Sequence, residues 1–272
     1  MIPDKLTADY SEKYKVSIRL MPDGLSFWGY IPFDKDSFFM ETFLFDSDRA
    51  TVDSLKNIFF TNPCLSFAYQ SFYVIDSYGK YTLVSDHVFL EKEKDRLFSF
   101  CHLKDKSLKV LLQPLLALDM SLLFGMDKDM YAFLLRSLIN PVFIHSLSPL
   151  IKAWYNKSLM VFPKLMHVVI NEHAIDVLCV EQGNLLFVNS YNYDNTNDII
   201  YYIMYICKQT GFDQIEDNLT ISGNKTCCRS VLSIVNQYVR KTNYLKPTLN
   251  GYQVAVDQDL TLDMIALIEC GV

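Results

Sequence analysis

Glycine is scarce in this sequence, and its scarcity limits the kinds of ligand site that the chain can form. The chain has 272 residues but 9 glycines, about half the usual share of roughly 7%. Loops that cradle phosphate need glycine because its missing side chain lets backbone amides approach the anion closely. Neither a G-x-G-x-x-G motif nor a G-x-x-x-x-G-K-[ST] motif occurs. The sequence therefore lacks both of these nucleotide-binding loops.

Metal-binding and disulfide patterns of cysteine are also missing. The 7 cysteines are odd in number and scattered, without a C-x-x-C pair. Reduced thiols in a reducing compartment fit this pattern best. His167, His173 and Glu172 suggest a zinc site, but a turn separates the two histidines and no cysteine lies at a metal-ligand spacing. We therefore expect no metal site.

The sequence contains no uninterrupted apolar run long enough to span a membrane. Gln113, Pro114 and Asp119 interrupt the most apolar stretch. The first residues lack the apolar core of a secretory signal. A net charge of −6 does not provide the basic surface that nucleic acid requires. We expect a cytoplasmic protein that neither inserts into a membrane nor binds nucleic acid.

Strand patterns are present from the start of the chain. Val16, Ile18 and Leu20 alternate with more polar residues, and Pro22-Asp23-Gly24 signals a turn before a second strand. This pattern predicts a β-hairpin. The next segment, DSFFMETFLFD, has apolar residues at both alternating sets of positions, which predicts a strand covered on both faces. The less favoured alternative is an exposed aromatic edge.

The order of predicted elements occurs twice along the chain. In the first half, strands separated by a turn at Tyr78-Gly79 are followed by a helix, an apolar strand in LLALDMSLLFGMD and further elements. A new strand and hairpin begin at Leu165. An order of strands followed by alternating strands and helices, present twice, indicates a duplicated α/β fold. We place the two domains at residues 1–157 and 158–272.

Two stretches resemble a known superfamily, DVLCVEQGNLLFVNSY at 176–191 and LTISGN at 219–224. With the repeated element order, they resemble the actin-like ATPases, in which two related ribonuclease-H-like α/β halves surround a cleft. The chain is identified as a member of an uncharacterised bacterial family of this fold. It is similar to the pilus-assembly protein PilM and to the cytoplasmic domain of the type II secretion L protein.

The resemblance implies where a nucleotide site would lie. In active members, each half has a strand that ends in Asp-x-Gly. The Asp helps to hold the metal, and the Gly lets the turn close on phosphate. Arg19 and Met21 stand at these places in the first half, and Val169 and Asn171 stand there in the second. Both metal-side carboxylates are absent.

In the later Gly-Gly turn of the superfamily, this chain retains the first glycine as Gly223 and has Asn224 in place of the second. Arg19, Gly223 and Asn224 are therefore the candidates for a vestigial cofactor site. One way to keep nucleotide binding is through Arg19, because its guanidinium can bind phosphate by itself. We favour the alternative, a strand arginine whose head group reaches water. We expect no cofactor.

The degenerate site favours a non-catalytic scaffold that binds another protein or itself. No G-x-S-x-G or H-E-x-x-H motif specifies a reaction, and no catalytic residue is proposed. The alternative is a divergent nucleotide-dependent ATPase or small-molecule kinase with ATP as its cofactor. An enzyme is the less favoured of the two interpretations.

Tyr201 and Tyr205 are the candidate interface residues. They lie one turn apart on the helix TNDIIYYIMYICK, opposite its apolar face around Ile203. No residue from 199 to 207 is charged, although a solvated helix face usually carries charge. The pattern predicts that the two rings are covered, either by another part of this chain or by a partner or second copy.

Overall fold

The computed structural model describes residues 2–3, 6–77, 80–252, 254 and 260–271. The turn predicted at Tyr78-Gly79 lies outside the described residues. The chain divides into two compact units. The first comprises Met1–Ser148 and Leu249–Asp259, and the second comprises Pro149–Thr248 and Leu260–Val272. The predicted domain limits, 1–157 and 158–272, stay predictions.

The first unit alternates strands and helices. Its described strands are β1 (Lys15–Met21), β2 (Gly24–Tyr30), β3 (Phe39–Leu44), β4 (Ser71–Asp76), β5 (Tyr81–Ser85), β6 (Leu108–Leu115), β7 (Met120–Asp127) and β8 (Pro141–His145). Its described helices are α1 (Thr51–Thr61), α2 (Lys94–Cys101) and α3 (Lys128–Ser137). Asp127 fixes the start of α3, because its side chain accepts the backbone N–H groups of Asp129 and Met130.

The main sheet of the first unit has the order β3-β2-β1-β4-β8. β1 pairs antiparallel with β2 and parallel with β4, so it lies at the centre of the sheet. Its apolar residues Val16, Ile18 and Leu20 are buried in a core that also contains Phe27 and Leu55. The predicted hairpin is therefore confirmed.

The third strand departs from the prediction. β3 is an edge strand of the main sheet, whereas a strand covered on both faces was expected. Phe39 and Met40 are buried at its start, but Leu44 at its end is 70% exposed. Cover on both faces is therefore found at the start of the strand and not at its end, and the edge position agrees with the less favoured alternative.

A smaller antiparallel sheet, of order β5-β7-β6, completes the first unit. The stretch predicted as one apolar strand, LLALDMSLLFGMD, instead begins in β6, turns and continues as β7. Asp119 makes the turn with a left-handed backbone, φ 50°, which Asp tolerates better than most residues. The sequence therefore predicted β7 but missed the partner strand β6.

The second unit repeats the same pattern with shorter connections. Its described strands are β9 (Leu165–Ile170), β10 (Ala174–Glu181), β11 (Asn184–Asn192), β12 (Asn218–Gly223) and β13 (Lys241–Tyr244). Helix α4 (Leu147–Ser158) precedes them, and the other helices are α5 (Thr196–Thr210), α6 (Lys225–Val235) and α7 (Leu262–Cys270). In the described part of the chain, no helix is both long and apolar enough to cross a bilayer.

The sheet of the second unit has the order β11-β10-β9-β12-β13. β9 pairs antiparallel with β10 and parallel with β12, as β1 does with β2 and β4. The hairpin turn between β10 and β11 has positive φ at Gln182 (46°) and Gly183 (79°), the conformation that a two-residue hairpin turn requires. The two related α/β halves predicted from the sequence are confirmed.

Helix α5 covers the sheet of the second unit with the face that its sequence predicted. Ile199, Ile203, Ile206 and Cys207 are buried. The helix begins at a capping box formed by Asn195 and Asp198. The helix ends at Gly211, whose φ of 60° is in the left-handed region.

The buried face of α5 should dominate the stability of the second unit. We expect Ile203→Ala to lower the free energy of unfolding by about 2–5 kcal/mol, because Ile203 has no exposed surface. Ile215→Ala is the matched control, since Ile215 is 55% exposed, and should change it by less than about 0.5 kcal/mol. Chemical denaturation of both variants measures the difference, and equal losses would contradict the assigned core.

Candidate functional site

The two parallel ladders place the predicted site positions at equivalent points of the two halves. The ladder between β1 and β4 ends at the pair Leu20–Asp76, and that between β9 and β12 ends at Ile170–Gly223. Arg19 and Val169 each lie one residue before these ends, in their own unit. The register therefore agrees with the alignment of the two halves made from the sequence.

In the second unit, the hairpin between β9 and β10 is closed by its own side chains. The Asn171 side-chain amide donates to Asp176 Oδ2 at 2.8 Å. The Ser190 hydroxyl donates to the other oxygen of Asp176. Val169, which is paired with Asp176 across the ladder, is buried. Val169, which the resemblance predicts to stand in place of a metal-side carboxylate, is thus buried, and both oxygens of the nearby Asp176 accept internal hydrogen bonds.

Gly223 ends β12 in close contact with β9. Its φ is +108°, and a Cβ placed there would lie 2.0 Å from the Ile170 carbonyl oxygen. The same carbonyl accepts the backbone N–H of Asn224 at 3.1 Å. Glycine is therefore required at this position by backbone conformation and packing, without any ligand.

Asn224 caps helix α6. Its side-chain oxygen accepts the backbone N–H groups of Thr226 and Cys227, each at 3.1 Å. A helix N-terminus can bind an anion through such free N–H groups. Here the side chain of Asn224 already holds two of them, so this position performs a structural task in the fold.

Arg19 and Met21 lie on β1 in the first unit. Arg19 is half-buried and is paired with Ser26 on β2 and Ile75 on β4. Met21 ends the strand, and the Ser26 hydroxyl contacts its sulfur at 3.9 Å. Arg19, Gly223 and Asn224 stay predictions as vestigial nucleotide-site residues.

The residues considered for zinc are not brought together. His173 is exposed and lies 3.9 Å from Glu172, whereas His167 is buried on β9. Among the described residues, no group of three or more His, Cys, Asp and Glu side chains is placed to hold a metal ion.

His167 is instead a core residue. Its ring stacks on Trp154 at 3.9 Å between centroids, and Nε2 lies 3.1 Å from the Ser222 hydroxyl. Burial, and secondarily the charge of Lys157, hold its pKa well below its usual value. The neutral ring is therefore the form that the folded protein accommodates.

Tyr201 and Tyr205 are exposed in the second unit, at 64% and 43% respectively. Their rings are nearly parallel, with centroids 6.2 Å apart. Tyr202 beside them stacks on Tyr191 of β11 at 4.3 Å. The predicted alternative of cover by another part of this chain is wrong within the described structure. The alternative of cover by a partner or second copy stays a prediction.

Sequence reasoning missed three features of this region. It did not identify the hydrogen bond between Asn171 and Asp176, although both flank the hairpin turn. It missed β13, whose sequence Lys-Thr-Asn-Tyr is too short and polar to signal a strand. It also overlooked that β11 forms an edge of its sheet, because the uncharged sequence from Asn184 to Asn192 is typical of a strand inside a sheet.

The cap on α6 can be separated from any role in ligand binding. We expect Asn224→Ala to lower the free energy of unfolding by about 1 kcal/mol, because two backbone N–H groups lose their acceptor. Asn224→Asp keeps the acceptor and should retain most of the stability. Denaturation in the absence of nucleotide measures both, and an unaffected Asn224→Ala variant would contradict the capping role.

His167 should make stability depend on pH. Below the unfolded-state pKa of about 6.5, the unfolded chain takes up a proton at this residue that the folded protein does not. Stability is therefore fully present above that pH and is lost as the pH falls, by up to about 1.4 kcal/mol per pH unit.

Denaturation of wild type and His167→Gln between neutral and mildly acidic pH tests this dependence. The variant should lose part of the slope, whatever its overall stability. His173→Gln, at an exposed position, should keep the wild-type slope. An unchanged slope in His167→Gln would contradict the assignment.

Comparison with known proteins agrees with this architecture. The family model described as "Protein of unknown function (DUF3822)" matches residues 3–242. A Bacteroides thetaiotaomicron protein, described as having an actin-like ATPase fold and unknown function, is 29% identical with a TM-score of 0.82. That match covers 96% of this chain and 97% of the other. Among curated proteins, none matches the sequence.

A more distant solved structure shares the fold. The PilM-PilN type IV pilus biogenesis complex matches with a TM-score of 0.52 and 9% identity, over 86% of this chain and 88% of the other. At this identity the likeness concerns the fold alone. The chain thus has the actin-like ATPase fold and belongs to the uncharacterised DUF3822 family.

Proposed function

We propose that this protein is a non-catalytic, protein-binding scaffold whose nucleotide site is degenerate. The observation that carries the proposal is the turn between β12 and α6. There the Asn224 side chain accepts the first free N–H groups of α6, and the carbonyl of Ile170 packs against Gly223. Two of the N–H groups at the start of α6 that a phosphate could use are thus engaged within the fold, which supports the proposal.

The hairpin between β9 and β10 supports the same proposal. A metal-bound nucleotide requires carboxylates that are free to hold the metal and its waters. Val169 offers no oxygen, and Asp176 accepts hydrogen bonds from Asn171 and Ser190. These two hydrogen bonds hold the Asp176 carboxylate within the hairpin and give it a structural task.

Exposed aromatic surface supports the binding part of the proposal. In the first unit, Val88 and Phe100 are each 87% exposed and Leu90 is 59% exposed, and these side chains line one surface groove. Exposed apolar side chains are typical of protein interaction sites when they cluster. PilM, which shares the fold, occurs in a complex with PilN. By analogy, we expect this protein to act through contacts with other proteins in the cytoplasm.

The proposal predicts that magnesium and ATP do not stabilise the protein. A ligand at 100 times its dissociation constant raises the free energy of unfolding by about 2.7 kcal/mol, which shifts the melting temperature by several degrees. We expect no shift with ATP or ADP, with or without magnesium, measured by thermal denaturation.

A nucleotide-dependent rise in melting temperature would contradict the proposal and favour an ATPase or kinase. In that case Arg19→Gln distinguishes two origins of binding. Loss of the shift in this variant would identify Arg19 as the phosphate ligand. A retained shift would place the binding elsewhere in the chain.

A further inference from the structure

Strand β11 is an unprotected edge. Proteins usually prevent edge-to-edge pairing with charges, prolines, bulges or short strands. The other edges of the two main sheets follow this rule: β3 carries Glu41, β8 begins at Pro141, and β13 has 4 residues including Lys241. β11 has 9 residues without a charge or a proline.

One bulge lies at the beginning of β11 and leaves the rest of the strand regular. The register shifts between Cys179 and Val180 of β10, so that Leu186 is the extra residue of β11. From Phe187 to Asn192 the pairing with β10 is uninterrupted. Within this six-residue segment, the Asn189 side-chain oxygen accepts the Ser190 backbone N–H at 3.0 Å, a bond that pairing with a further strand would replace.

A groove runs beside this edge, on the side of the sheet covered by α5. It has a volume of about 440 Å³ and is lined by Leu186, Phe187, Tyr191, Tyr205, Gln209 and Thr210. Helix α5 packs on β10 and β11 and contacts α6. The flank of α5 that carries Tyr205 therefore faces the groove.

We propose that a second copy of this chain occupies this edge, with β11 pairing antiparallel to its counterpart about a two-fold axis at Asn189. Residues directly opposite each other in an antiparallel pair point to the same face. This register sets Phe187 opposite Tyr191 of the second copy, an aromatic pair on the face covered by α5. It sets Val188 opposite Ser190 on the other face.

The spacing of the helices favours a second copy over a lone peptide strand. Neighbouring strands lie about 4.8 Å apart. If α5 lies over the middle of β10 and β11, two copies of α5 are separated by two strand spacings, about 10 Å. This is the distance at which helices pack. The second copy thus supplies both a strand for β11 and a helix that closes the groove over Tyr205, whereas a peptide supplies the strand alone.

The surfaces that would meet carry no charged residue. Neither the segment from Phe187 to Asn192 nor the helix from Ile199 to Cys207 contains a charged residue. Two-fold symmetry sets each surface against its own copy, so an uncharged surface avoids repulsion between like charges. This inference goes beyond the proposed function, because a dimer can form whether or not the chain binds nucleotide.

Sedimentation equilibrium of the full chain tests the proposal. We expect wild type to be a dimer and Asn189→Lys to raise the dissociation constant by about tenfold or more, because the two lysines would lie opposite each other. Asn243→Lys, the same change at an exposed position of β13, should leave the dimer intact. A monomeric wild type over its soluble concentration range would overturn the proposal.

Charge reversal makes the test specific to the two-fold axis. Mixing Asn189→Lys with Asn189→Asp should restore association as a heterodimer, because opposite charges then face each other. Failure of the mixture to associate, when both variants are folded by circular dichroism, would overturn the proposed register.

A helix variant carries the test if the strand variants do not fold. The double variant with Tyr201→Lys and Tyr205→Lys should keep its fold and lose the dimer. Tyr238→Lys, at a 51% exposed position, should keep both the fold and the dimer. A dimer that persists in the double variant would overturn the proposal. So would equal weakening by Tyr238→Lys, or a wild type that binds an extended peptide at β11 as a monomer.

Discussion

The architecture depends on the central strand of each main sheet, which pairs antiparallel on one side and parallel on the other. All six residues of β9 are buried, and four of the seven residues of β1 are buried. A strand covered on both faces must have helices or other elements on both sides. This requirement, met twice along the chain, produces the two related halves.

The same constraint explains the chemistry of the candidate site. Where β9 and β12 end side by side, the close approach of their backbones requires glycine at 223. The helix that follows starts at once, and Asn224 provides its cap. This turn is therefore held by internal hydrogen bonds and packing, and Val169 is buried on the neighbouring strand.

Sequence reasoning recovered what local patterns determine. The hairpins follow from alternating residues and turn residues, such as those at Gln182 and Gly183. The buried face of α5 follows from its 3.6-residue period. The errors concern features imposed by pairing partners distant in the sequence. β13 is a strand because β12 lies beside it, and β3 lies at the edge of its sheet, a position that its own residues do not specify. The internal bonds of Asp176 could not be predicted without the register of its neighbours.

The central claim is that the turn from Gly223 to Cys227 is satisfied within the fold and does not bind nucleotide. Amide hydrogen exchange of this turn, measured with and without saturating magnesium and ATP, tests it directly. The account predicts identical exchange in both conditions, because Ile170 and Asn224 already accept the N–H groups of Asn224, Thr226 and Cys227. Slower exchange of these amides with magnesium and ATP would contradict it.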